Sequence, residues 1–285
     1  MSKKKRPTPV LPESIGALFD SHTHLASTIA KGAREGQDRR AATAELVARA
    51  GQAGVERICT VGDGLAETEL ALAAAQEFDN VWAACAIHPT RADELDEAAK
   101  TSLIEMAANE RCVAIGETGL DAYWIKHDDT TPSLEVQEAA LRWHIDLAVS
   151  ARKPLMIHNR EADEDLMRIL ADAPQPTDVI LHCFSSPLDV AREAIDRGYV
   201  LSFAGNATFK RNEELREAAR LAPAEQILVE TDAPYMTPEP FRGARNEPGF
   251  VGYTARVLAE ARGQSPAEFA ELAWSNANRV FGLPG

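Results

Sequence analysis

Five short apolar runs of this sequence end on residues that can bind a divalent cation. The first runs into Asp20-Ser21-His22-Thr23-His24, three others into Glu117, His158 and His182, and the last into Glu230-Thr231-Asp232. Side chains alternate along an extended segment, so His22 and His24 lie on one side of it and can reach one ion. Imidazole mixed with carboxylate suits zinc or manganese, and carboxylate-rich sites also take magnesium. One carboxylate, such as Glu117, can bridge two ions about 3.5–4 Å apart. Two ions at that spacing activate a water and clamp both the attacked group and the leaving oxygen, so the expected chemistry is hydrolysis. Each residue alone has a plainer reading: a lone histidine at a strand end is more often structural, and a lone aspartate caps a turn. Six of them in one kind of position favour a metal site, with two divalent cations (Mg, Mn or Zn) as the expected cofactors.

These residues can meet only if the runs that carry them are strands with a common end. Eight runs qualify: Ala17–Asp20, Arg57–Val61, Val81–Ile87, Cys112–Gly116, Pro154–Ile157, Val179–Leu181, Tyr199–Phe203 and Ile227–Glu230. Near-continuous apolar runs of this kind suit parallel strands buried on both faces. The segments between them carry helical periodicity, as in Leu134, Leu141, Ile145 and Ala148. Strand alternating with helix, in a chain near the usual barrel length of about 250 residues, predicts an α/β fold of the (β/α)8 TIM barrel type. An open doubly wound sheet is the other arrangement that the pattern allows. Barrel enzymes carry their chemistry at the C-terminal ends of the strands, which is where all six residues fall. Residues 1–14 read as a basic tail and 15–285 as one barrel domain. Ser27–Arg40 reads as a long polar loop and Pro234–Pro248 as another, with closing helices near Gly252–Arg262 and Pro266–Val280.

The formal net charge of −14 argues against a broad footprint on duplex DNA. It leaves room for a short contact inside one cleft, where bound cations invert the field. No apolar run approaches the roughly 20 residues of a membrane span. The opening MSKKKRPTP leads into no apolar stretch of the signal-peptide kind. Cys59, Cys85, Cys112 and Cys183 sit singly in apolar runs, which suits buried thiols in a reducing, cytoplasmic setting. No apolar stripe marks an interface, so the expectation is a monomer without membrane contact or an obligate protein partner. His127, in a charged loop, and His144, within a helix, read as non-catalytic. His88, followed by Pro89, reads equally as a substrate contact or a turn residue.

At these positions the sequence resembles the TatD-like metal-dependent hydrolases, usually called TatD DNases. The segments that carry the resemblance are FDSHTHL (19–25), AIHP (86–89), GETGLD (116–121), KPLMIHNREA (153–162), LHCFS (181–185), SFAGNATFK (202–210), ETDAPYMTP (230–238) and RNEP (245–248). The resemblance runs over nearly the whole chain, from about Leu18 to Phe281. The resemblance implies that His22, His24 and Asp232 bind one ion, that Glu117 bridges, and that His158 and His182 complete a second site. It further implies hydrolysis of DNA, often from the 3′ end, with Asp232 and Glu117 as the catalytic carboxylates. Single-stranded or end-frayed DNA is then the expected partner. Arg160, Lys210 and Arg245 are candidate phosphate contacts, Asn206 a candidate hydrogen-bond donor and His88 a further contact. Tyr123 and Trp124 could stack on a terminal base. The same ions could serve a different bond, and D-aminoacyl-tRNA deacylation or another ester or amide hydrolysis is the alternative. Two departures from the family pattern stand out. Ala26 replaces the usual Asp before an unusually long loop, and Ala122 separates GETGLD from Tyr123 and Trp124. Both fall on loops that build the rim of the mouth, so they bear on the substrate rather than on the ion ligands.

Overall fold

In a computed structural model, which describes residues 7–32 and 38–284, eight parallel strands stand side by side in sequence order. They are β1 (Leu18–Thr23), β2 (Val55–Thr60), β3 (Val81–Ala84), β4 (Cys112–Asp121), β5 (Leu155–Arg160), β6 (Val179–Leu181), β7 (Val200–Phe203) and β8 (Ile227–Val229). Helices alternate with them. The ring closes where the chain leaving β8 meets β1: the Asp232 N–H donates to the His22 carbonyl at 3.0 Å, and the His24 N–H to the Ala233 carbonyl at 2.7 Å. The fold is the (β/α)8 barrel that the alternation predicts.

Two apolar clusters follow from the period-two alternation of strand side chains. Leu18, Ile58, Val81 and Leu155 join the helices in the larger cluster, outside the ring. Their neighbours Phe19, Cys59, Trp82 and Met156 fill a second cluster within it. Helix Pro266–Val280 starts at a capping box between Ser265 and Glu268 and turns Ala277 and Val280 into that inner cluster. Phe281 follows and lies 5.2 Å from Phe19, closing the N-terminal end of the barrel. Helix Leu134–Ala151 buries Leu141, Ile145 and Ala148, and His144 with them. There His144 Nε2 accepts from the Ile87 N–H at 3.2 Å.

The structure departs from expectation in three places. Part of the expected loop Ser27–Arg40 lies in helix Leu25–Gly32, because Leu25 and Thr28 share a face that buries. β4 runs on to Asp121, five residues beyond the apolar run, with every residue buried. The second half of the expected tail lies against the barrel, where Tyr253 donates to the Val10 carbonyl and Arg256 to the Glu13 carbonyl, both at 3.0 Å. The basic residues Lys3 to Arg6 lie outside the described residues. Among the described residues no helix is long and apolar enough to cross a membrane.

Candidate metal centre

β1 and the residue after it deliver His22 and His24, β4 delivers Glu117 and β5 His158; the turns after β6 and β8 deliver His182 and Asp232. Glu117, only 2% exposed, stands between two groups of donors. Its Oε1 is 3.2 Å from His24 Nε2 and 3.5 Å from His22 Nε2. Its Oε2 is 2.8 Å from His182 Nε2 and 3.4 Å from His158 Nδ1. Asp232 Oδ1 joins the first group, 3.6 Å from His24 Nε2 and 3.9 Å from His22 Nε2. Within that group the two imidazole nitrogens are 3.3 Å apart. In the second group His182 Nε2 and His158 Nδ1 are 3.4 Å apart. Donors sharing one small divalent ion at about 2.0–2.1 Å each are separated by roughly 3.3 Å. Both groups fit that spacing, and imidazole with carboxylate is a suitable donor set.

Behind the donors stand further carboxylates. His158 Nε2 donates to Asp121 Oδ2 at 3.0 Å, which leaves Nδ1 free for a cation. His182 Nδ1 donates to Glu230 Oε1 at 3.1 Å. Glu230 in turn accepts from the Cys183 N–H at 2.9 Å and from the Ser202 hydroxyl. His24 Nδ1 lies 3.3 Å from Asp63 Oδ1. A carboxylate behind an imidazole fixes its orientation and raises its basicity. His22 differs: its Nδ1 meets the Met156 sulfur at 3.0 Å, and its ring stacks on His182 at 3.9 Å. Asp63 and Asp121 are not among the residues singled out in the sequence, and Glu230 stands there only as the end of its run. Asp63 lies just past the apolar run of β2, within reach of the strand-end rule, whereas Asp121 lies five residues beyond the apolar run of β4 and out of its reach.

Proximity tunes these groups. Burial would raise Glu117, but the imidazoles of His182, His22 and His88 hold it well below the usual carboxylate range. Burial would lower His24 and His182, yet Asp232 and Glu117 raise the first well above its ordinary value, and Glu117 and Glu230 raise the second. Carboxylates that raise His24 and His182 in this way favour a cation in place of the protons. His88 behaves oppositely, because burial and the neighbouring His158 push it down to about 3. Its Nδ1 accepts from the Thr90 N–H at 3.2 Å, so its proton sits on Nε2, 3.9 Å from Glu117 Oε2.

The backbone is strained where it serves the cluster. Asp232 and Cys183 hold φ of +52° and +42°, a region that costs a residue with a Cβ about 1–3 kcal/mol and is concentrated at functional sites. At Gly119, with φ of +147°, a Cβ would lie 1.9 Å from the His158 carbonyl, so glycine is what lets β4 pass β5 and reach Asp121.

A cavity of about 460 Å³ opens over the cluster, and beyond the donors it is lined by Asp63, Thr90, Trp124, Arg160, Tyr235 and Met236. Of the expected substrate contacts, His88 and Arg160 line it. Asn206, Lys210 and Arg245 do not. Asn206 is buried, with its Nδ2 donating to the Phe184 carbonyl at 3.4 Å. Lys210 borders a separate groove with Arg216 and Arg220. Arg245 lines a pocket with Arg49 and Glu247, packed against Gly32. The two rim aromatics also differ. The Tyr123 ring has His127 stacked on it at 4.0 Å and the Arg160 guanidinium at 3.7 Å, so both its faces are taken. Trp124 is 40% exposed and lines the cavity.

Imidazoles and carboxylates gathered at the C-terminal ends of barrel strands define a metal-dependent hydrolase. The chain belongs to the TatD family of these enzymes: the family model described as TatD related DNase matches residues 19–282. It is 48% identical over 266 residues to the metal-dependent hydrolase TatD of Mycobacterium tuberculosis, a match covering 93% of this chain and 98% of that protein. It is 32% identical over 246 residues to the 3′-5′ ssDNA/RNA exonuclease TatD of Shigella flexneri, covering 84% of this chain and 92% of that one. Among solved structures it is similar to YjjV, a TatD homologue from Escherichia coli. The TM-score is 0.82 at 26% identity, over 95% of this chain and all of the other.

Proposed function

We propose that this hydrolase cleaves phosphodiester bonds at the end of single-stranded nucleic acid, DNA in particular, and works in the 3′ to 5′ direction. The observation that carries the reading is the division of Glu117, one oxygen toward His22, His24 and Asp232 and the other toward His158 and His182. On this reading the first group and the second each hold one divalent cation, with Glu117 shared. Two ions bound there would supply an activated water and neutralise charge on the phosphate oxygens. The Shigella flexneri relative, a 3′-5′ ssDNA/RNA exonuclease by name, supports nucleic acid as the substrate.

The chain's own groups have separable parts in this reaction. Asp232 is the donor carboxylate more open to the cavity, 10% exposed at its side chain against 2% for Glu117. It is placed to accept the proton that the attacking water loses. His88, neutral and with its proton on Nε2, donates to a phosphate oxygen without adding charge. Arg160 at the lip faces the phosphate with a permanent positive charge.

The test is digestion of single-stranded DNA labelled at either end, with Mg²⁺, Mn²⁺ or Zn²⁺ and with EDTA, beside a Glu117→Ala control. Metal-dependent shortening from the 3′ end that vanishes in the variant is the expected result. Deacylation of D-aminoacyl-tRNA with no shortening of DNA or RNA would replace the nuclease reading with an esterase.

A further inference from the structure

Two pairs of a cation and an aromatic ring stand at opposite poles of the mouth. β4 adjoins β5, β8 meets β1, and these two junctions are four strands apart around a ring of eight. At the first junction Arg160, the last residue of β5, lies 3.7 Å over Tyr123 and 5.7 Å from the Trp124 ring centre. The Trp124 N–H donates at 2.8 Å to Asp121, the carboxylate behind His158. At the second junction the Lys31 ammonium lies 3.7 Å over Tyr235, whose ring meets His24 edge-on at 5.8 Å. Each pole is therefore tied to one of the two donor groups.

Both poles keep open what they could have closed. Among the described residues six large apolar side chains are exposed, and Trp124, Tyr235 and Met236 account for half of them on this one rim. Lys126, two residues past Trp124, is paired with Glu161 at 3.0 Å. Neither Arg160 nor Lys31 forms an ion pair among the described residues. Four carboxylates, Asp63, Glu117, Asp121 and Asp232, line the same cavity. The rings thus hold two cations at the lip, short of the acids below.

We propose that the two poles form a clamp for a single-stranded polynucleotide. One base stacks on Trp124 and another on Tyr235, and Arg160 and Lys31 take backbone phosphates on either side of the bond that is cut. The proposal rests on the nuclease reading above. Every base has a stacking face and every nucleotide a phosphate, so such a clamp selects strand length and single-strandedness rather than sequence. A base inside a duplex cannot offer its faces to either ring. A small ester has nothing to place at the far pole.

The test uses the metal-loaded protein on oligothymidylates of two and ten nucleotides. Trp124→Ala and Tyr235→Ala should each raise KM for the decamer about tenfold, as expected for one lost base–aromatic stack, while kcat stays within about threefold. With both replaced, KM for the decamer should approach that for the dimer. Fluorescence anisotropy of a phosphorothioate-linked decathymidylate, which resists cleavage, should show binding weakened by the same factors. Arg160→Ala and Lys31→Ala should each reduce the slope of log Kd against log salt by about 0.7. Cleavage of the decamer with KM and anisotropy unchanged in both aromatic variants overturns the clamp and leaves the nuclease reading standing. Failure of the metal-loaded wild type to bind or cleave any oligonucleotide overturns both.

Discussion

The two ends of the barrel use the same contact for different purposes. At the N-terminal end Arg57 lies 4.8 Å from the Trp274 ring and 5.2 Å from Trp82, and Arg111 lies 4.5 Å from Trp82. Arg111 also donates to the carbonyls of Ala75, Phe78 and Asp79 at 2.6, 2.7 and 2.9 Å, and to that of Val81. Arg57 donates to Asn278 and, at 2.7 Å, to the Pro284 carbonyl. At the C-terminal mouth Arg160 and Lys31 rest on rings of their own, with no ion pair among the described residues. A stacked cation that also donates to carbonyl groups is part of the fold. One that makes no side-chain hydrogen bond or ion pair among the described residues is available to a ligand.

The largest effects should separate the two ends cleanly. Glu117→Ala removes the one carboxylate common to both donor groups, and hydrolysis should fall by at least roughly 10³-fold, more than for a lost oxyanion donor. Full activity in that variant would move the reaction elsewhere on the molecule. Phe19→Ala breaks the opposite end, where the ring is 1% exposed and packs against Trp82, Trp274 and Phe281. Unfolding in urea should show a loss of about 3–5 kcal/mol. Metal bound per folded molecule should not change, because the strand ends that carry the candidate donors are at the other pole of the barrel.

A smaller effect tests the carboxylates behind the donors. Asp121→Asn should weaken cation binding about 10–100-fold at the group containing His158, and much less at the group containing His22 and His24. Isothermal titration resolves the two, and equal weakening at both would contradict the assignment. Proton competition gives the pH dependence. Burial would lower His158, but Asp121 and Glu117 raise it above its ordinary value, and His182 is raised likewise. Cations bind the deprotonated rings, so affinity should fall as pH drops through these raised values, beginning above the usual histidine value of about 6.5. Asp121→Asn removes one of the raising charges and should move that onset to lower pH. An affinity flat from pH 8 to pH 5 would refute the competition.

The strands were legible because burial on both faces makes them continuous apolar runs, and six polar residues stood out at their ends for the same reason. β4 outruns its apolar run because Glu117, Thr118 and Asp121 break the pattern while still lying in the wall. Only the neighbouring strand and the glycine at 119 show that the backbone stays extended there. Helix Leu25–Gly32 was hidden by Ser27 and Lys31 on its outer side. Loop tips were the least legible part. Nothing in the local sequence says that Asn206 turns inward to Phe184, that Lys210 points to another groove, or that Arg245 packs on Gly32. The same holds for Tyr123 and Trp124, adjacent in sequence and alike in chemistry, of which one has both faces covered and the other is open.

The smallest effect bears most directly on the comparison of the two ends, since it sets Arg111 against Arg160. Both guanidinium groups stack on an aromatic ring, so the cation–π contribution nearly cancels between them. What differs is the backbone: Arg111→Ala removes a donor from carbonyls on either side of and within the turn into β3, of which Phe78's keeps the Val81 N–H, whereas Arg160→Ala leaves no described acceptor behind. An unmet partly buried acceptor costs about 1–3 kcal/mol, although water reaches some of those at position 111 and reduces the loss. A surface change away from such features usually stays within about 0.5 kcal/mol. Urea titration of the two variants should therefore show Arg111→Ala clearly destabilised and Arg160→Ala within error of wild type. Equal losses would mean that the ring contact itself carries the stability at both ends, and the mouth cation would then be structural rather than held ready for substrate.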